Sequence, residues 1–163
     1  MTSMRSSAAV IARFLLSAVF LAAGANKLFH WRETETQLMG VLSDWQSHLS
    51  FSEAAQSFFT SIILFTPVLL IVATALELIG GLLLLLGIKE RVGAALLLLM
   101  LLPTTLLYHQ FWFVESSMRE LQQVMFLKNL AIIGGLILVL LHGAESSGKR
   151  EGGSSGGGSY KFQ

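Results

Sequence analysis

The chain has 163 residues, 53% of them hydrophobic and only 13% charged, with a net charge of +1 and no cysteine. Its mean hydropathy is +0.67, and the charge content lies far below the roughly 25% of an ordinary soluble domain, which marks an integral membrane protein. The near-neutral balance leaves no field to steer nucleic acid. The lack of cysteine excludes thiol redox chemistry, disulfides, iron–sulfur ligation and thiolate metal sites within this chain.

Four apolar segments reach the length of about 20 residues that a helix needs to cross a bilayer. They lie near 8–29, 66–88, 92–112 and 124–141. The first sits where a signal peptide would. However, Arg13 interrupts it, no small-residue cleavage site follows, and it ends in the polar–aromatic boundary "GANKLFHW", so it reads as a retained helix.

In the loop that follows, Leu38, Leu42, Trp45 and Leu49 recur at helical spacing. This predicts a short amphipathic helix lying at the membrane interface. The stretch "SFSE" reads as a capping box with Ser50 at the cap and Glu53 three residues on. The second spanning helix is therefore expected to begin before the membrane and to bend at Pro67, as the third should at Pro103.

Only "GIKERVG" separates the second and third segments, which makes them a tight antiparallel hairpin. Lys89 and Arg91 in that turn, with Arg5, Lys149 and Arg150 near the termini, put the turn and both termini on the cytoplasmic side. Glu33, Glu35, Asp44, Glu53, Glu115 and Glu120 then fall in the outer loops. Residues 146–163 are Gly/Ser-rich and read as a disordered cytoplasmic tail, leaving 1–145 as one transmembrane domain. A weak internal repeat aligns "ELIGGLLLLLG" with "AIIGGLILVLLHG", Gly80–Gly81 matching Gly134–Gly135. The fold expected is an all-α four-transmembrane-helix bundle, with two similar helical hairpins as one option.

Glu77 breaks an otherwise continuous apolar run. Residues three and four away share its helical face, and these are Ala73, Thr74, Gly80 and Gly81. Small residues let helices approach, whereas lipid-facing surfaces carry Leu and Ile, so Glu77 points into the bundle. At 1.5 Å of rise per residue, Glu77 lies about 15 Å and Lys128 about 21 Å above the inner boundary. That ranking favours Lys128, assisted by Asn129, as the partner of Glu77. Lys27 would stand higher and have to reach down, and Arg13 is low enough to snorkel to the cytoplasmic surface. His109, beside Tyr108 and Trp112, suits either an interfacial aromatic belt or the mouth of a site. His30, His48, His109 and His142 are scattered without ligand spacing on one helix face, which argues against a metal site. Gly24, Gly80, Gly81, Gly134 and Gly135 read as helix-packing positions.

The stretches "RFLLSAVFLAAGANKL", "ELIGGLLLLLGIKERVGAALLLLMLLPTTLLYHQFW" and "FLKNLAIIGGLILVL" closely resemble the DoxX family of small bacterial four-helix membrane proteins. Matching positions are Arg13, Gly24, Lys27, Glu77, Gly80, Gly81, His109, Lys128, Asn129, Gly134 and Gly135. The resemblance implies a bacterial cytoplasmic (inner) membrane location and an association with quinone-linked redox systems. On that basis the chain is expected to be an accessory subunit beside a membrane or peripheral redox protein, and not an independent catalyst. It would hold no covalent cofactor and take quinone as its candidate ligand, since Lys, His and Asn can donate to a quinone carbonyl within an apolar pocket. A binder or transporter of a small metabolite or lipid, a non-catalytic scaffold for a partner, and homo-oligomerisation remain alternatives.

Overall fold

The computed structural model describes residues 2–143, with side chains from residue 7 onward. The predicted tail at 146–163, with Lys149 and Arg150, and the side chain of Arg5 fall outside what is described. Among the described residues six helices follow in order: α1 (Thr2–Phe29), α2 (Trp31–His48), α3 (Glu53–Leu64), α4 (Thr66–Leu86), α5 (Glu90–Tyr108) and α6 (Ser116–His142). The segments Ser7–Phe29, Thr66–Leu86, Glu90–Tyr108 and Ser116–His142 are long and apolar enough to cross a membrane. The chain is thus a multi-pass, four-helix membrane bundle. α6 starts ahead of its apolar span because "SSMRELQQ" is polar yet contains good helix formers.

α1 packs along α4, α4 along α5, and α5 along α6. Phe20 of α1 and Leu136 of α6 share one buried cluster with Leu84, Leu97 and Leu101, which closes the bundle. α4 ends in a Schellman motif: Gly87 adopts φ +67°, its N–H reaches Leu84 O, and Ile88 N–H reaches Leu83 O at 3.0 Å. Glycine suits that left-handed position because it has no Cβ to clash.

The loop expected to hold one amphipathic helix holds two. α2 and α3 form a hairpin that caps one end of the bundle, with Leu38, Leu42, Phe59 and Leu70 packed together and Leu107 and Tyr108 against them. The stripe Leu38–Leu42–Trp45–Leu49 therefore faces protein and not lipid. Periodicity identifies an apolar face but not its neighbour. Trp45 also donates from Nε1 to Leu107 O at 3.1 Å.

Ser52, not Ser50, caps α3, its Oγ accepting from Ala55 N–H at 3.3 Å. Between α3 and α4 the chain breaks at Phe65 where a bend was expected. Pro67 has no N–H to offer the carbonyl of Ile63, and Thr66 Oγ1 donates to it instead at 2.7 Å. α5, in contrast, stays one helix through Pro103.

The glycine pairs of α4 and α6 do different work. A Cβ on Gly80 would stand 2.7 Å from Leu97 Cγ and 3.0 Å from Gly93 O, and one on Gly81 would stand 2.9 Å from Leu21 Cδ2. A Cβ on Gly134 would meet nothing within 4 Å, and one on Gly135 only Leu16 at 3.9 Å. Gly134 and Gly135 are therefore not close-packing positions, because α6 leans on α5 with its other face. Gly80→Leu should destabilise the bundle, overpacking typically costing about 1–3 kcal/mol. Gly134→Ala should be neutral or gain up to about 1 kcal/mol of helix propensity. Thermal unfolding in detergent measures both, and equal losses at the two sites would contradict this packing.

Candidate functional site

Glu77 lies on the α4 face that also buries Leu70, Thr74, Gly80, Gly81 and Leu84, and only 3% of it is exposed. A carboxylate so placed needs a partner, because an unpaired charge in an apolar interior is expensive to hold. Lys27, in the last turn of α1, supplies it. Lys27 Nζ stands 2.8 Å from Oε1 and 2.7 Å from Oε2 of Glu77, donating to both oxygens.

Gly24 makes this reach possible. It precedes Lys27 by one turn on the same face of α1. A Cβ there would lie 2.7 Å from Leu78 Cδ2 and 3.6 Å from Glu77 Cβ. The two helices therefore touch at the level of Glu77, and the lysine folds back by about one turn to meet the carboxylate.

Lys128 is not the partner. It is exposed on α6, and its Nζ lies 3.4 Å from Met125 Sδ, one turn away on its own helix. Depth ranked it well, but α6 packs on α5 while α1 lies along α4, so lateral order overrides depth. Asn129 is buried and serves another contact. Its Nδ2 donates to Thr105 Oγ1 at 3.2 Å, and Thr105 in turn donates to Leu101 O at 2.6 Å. His109 is half-buried, with Nδ1 2.9 Å from Gln122 Oε1.

Arg13 does not snorkel alone. It forms an ion pair with Glu90 in the first turn of α5, running past Gly87, whose Cβ would stand 3.1 Å from the guanidinium. Glu90, only 6% exposed, is not singled out by the sequence, because its partner stands on another helix far along the chain. An arginine inside an apolar run was the available hint that a carboxylate must come near. Gln110 was also missed; it is buried, and its Oε1 has no hydrogen-bond partner.

Of the candidates, then, the structure joins Lys27 with Glu77, and keeps Arg13, Asn129, His109 and Lys128 at four separate places. Among the described residues no group of three His, Asp or Glu is arranged to hold a metal ion. The Lys27–Glu77 pair can do more than bind itself. An ammonium has three donors, two are used on Glu77, and the third remains for a ligand acceptor. The lysine side chain is 21% exposed against 4% for the glutamate, so a ligand would approach from the lysine side.

The DoxX family profile matches residues 8–110. That stretch contains both ion pairs and ends before α6. No curated protein and no solved structure matches the chain.

Removing one partner of a buried ion pair costs about 3–5 kcal/mol, since the other charge is stranded. Lys27→Met and Glu77→Gln should each lower stability in detergent, while the double variant recovers much of the loss through coupling. Lys128→Met should change stability little. Additive losses at Lys27 and Glu77 would show that the two side chains do not interact.

Proposed function

The chain belongs to the DoxX family, and from that premise we propose that it is an accessory subunit of a quinone-linked redox system in the bacterial cytoplasmic membrane. It holds the quinone head group against the Lys27–Glu77 pair. The observation that carries this reading is the pair itself: a nearly fully buried carboxylate at mid-helix, held by a lysine that stays partly open. Register alone does not call for such a pair, because well-packed apolar residues often replace a buried ion pair without loss of stability. Ionisable groups within membrane-spanning segments are functional by default.

The chemistry fits the ligand. A quinone carbonyl only accepts hydrogen bonds, and the third N–H of Lys27 can donate to it. Glu77 holds the ammonium in place through both of its oxygens. The lipid-soluble ring reaches the pair from the bilayer without crossing water. Electrons pass between the quinone and a partner subunit's redox centre, while this chain binds and orients the head group. In the membrane the α4–α5 turn with Lys89 and Arg91 faces the cytoplasm, as do both termini, following the positive-inside rule. The α2/α3 hairpin lies on the outer side.

Two measurements test this. Protein purified in mild detergent should carry near-stoichiometric quinone by mass spectrometry of its lipid extract, and the folded Lys27→Met/Glu77→Gln double variant should lose it. A quinone-free wild type, or a double variant that retains quinone, refutes the assignment. Because the chain lacks cysteine, single cysteines at Ser47 and Lys89 report orientation. An impermeant reagent added to intact cells should label Ser47→Cys only, and the reverse pattern would invert the topology.

A further inference from the structure

α3 is twelve residues long and carries three different faces. At about 100° per residue, Ala55, Gln56, Phe59 and Ile63 fall on one side. Phe59 is buried there, and Gln56 Nε2 donates to Gln46 O of α2 at 2.6 Å. Next around the helix come Thr60, Glu53, Ser57 and Ser61, all exposed. Thr60 Oγ1 accepts from Gln46 Nε2 at 2.8 Å, so α2 borders this polar side. The remaining side holds Ala54, Phe58 and Phe65, with Phe58 57% and Phe65 59% exposed. Leu64, 77% exposed, projects between Glu53 and Ser57 on the polar side, but in the last turn of α3, where the helix meets membrane-spanning α4.

The apolar side does not stop with α3. Leu69 N–H bonds to Phe65 O at 2.9 Å, so the first turn of α4 starts from Phe65, the residue on which α3 ends. Val68, Leu69 and Val72 of α4 stand outward at helical spacing from Phe65. These residues belong to a membrane-spanning helix and contact lipid. One apolar strip thus runs from Phe58 through Phe65 into the lipid-facing surface of α4. The polar side of α3 separates this strip from α2, whose outward residues Arg32, Glu33, Ser43 and Asp44 are those of a water-facing helix.

We infer that α3 is an interfacial helix whose partner is the phospholipid leaflet on the α2/α3 side of the bundle. Ala54, Phe58 and Phe65 sink into the edge of the acyl chains, while Ser57, Thr60 and Glu53 stay among headgroups and water. An amphipathic helix lying in the interface buries its apolar side by about 5–10 Å, a depth within reach of a helix tethered to the start of α4. The membrane-facing element of this loop is therefore α3, and α2 rides above it on the aqueous side. Charge does not select the lipid here, because the inserted side is uncharged, so the contact follows acyl packing and not headgroup type.

Spin labels on single cysteines test this in the full chain, reconstituted into vesicles of phosphatidylcholine with phosphatidylglycerol. All sites face outward, so labelling leaves the core intact, and circular dichroism verifies each variant. Power saturation should give Ala54→Cys, Phe58→Cys and Phe65→Cys an oxygen-over-nickel-chelate accessibility several-fold higher than Ser57→Cys and Thr60→Cys, approaching Val72→Cys on α4. A water-like ratio at Phe58→Cys would overturn the inference. So would protection of that site from both reagents, which in these vesicles means a second copy covers it, recognisable by spin–spin broadening.

Discussion

A carboxylate buried inside a membrane-spanning helix has to be neutralised by something within reach, and Glu77 constrains the bundle through that requirement. Insertion scales put a carboxylate at the centre of a spanning helix at about 3 kcal/mol, and the cation that offsets it must come from an adjacent helix. Lys27 does so only because α1 approaches α4 closely at Gly24. The ion pair and the glycine are therefore one device. Sliding α1 by a turn would move the ammonium about 5 Å along α4 and break the pair, so the pair sets the register of the two helices.

The second ion pair, Arg13 with Glu90, holds α1 at a lower level, about four turns from Lys27. Lipid tails are as apolar as leucine, so no hydrophobic force drives one spanning helix against another. A helix in that solvent is positioned by close packing and by polar contacts. α1 has both, two ion pairs about four turns apart and close approaches at Gly24 and between Leu21 and Gly81. α6 is fastened differently. It lacks a tight glycine contact and relies on hydrogen bonds at three levels: His109 with Gln122, Asn129 with Thr105, and Arg91 with the carbonyls of Leu141 and Gly143.

The α2/α3 hairpin gives the two ends of the bundle different characters. At the capped end Trp45 meets Phe59, Trp112 and Phe113, and Leu107 and Tyr108 lie beneath the hairpin. On α4, Glu77 stands midway between Leu70, which packs in the hairpin's cluster, and Leu84, which belongs to the main core. In the proposed role a head group would meet the pair at Lys27, the partly exposed member.

The four spans, the tight α4–α5 turn and the inward face of Glu77 were all legible in the residues, as were the close contacts at Gly24, Gly80 and Gly81. Each depends on local properties: length against bilayer thickness, 3.6-residue periodicity, and the company a residue keeps on its own helix face. The identity of Glu77's partner was not legible, because Lys27, Asn129 and Lys128 all stand at plausible depths and a one-dimensional depth scale carries no lateral order. Glu90 was hidden for the same reason, its neighbour Arg13 lying 77 positions away. The apolar stripe of α2 announced a partner without saying whether it was lipid or protein. Partition of one helix into a bilayer is decided by that helix alone. The choice of neighbour among several equally apolar helices is decided by a few glycine contacts and paired charges, and these exist only once the bundle has closed.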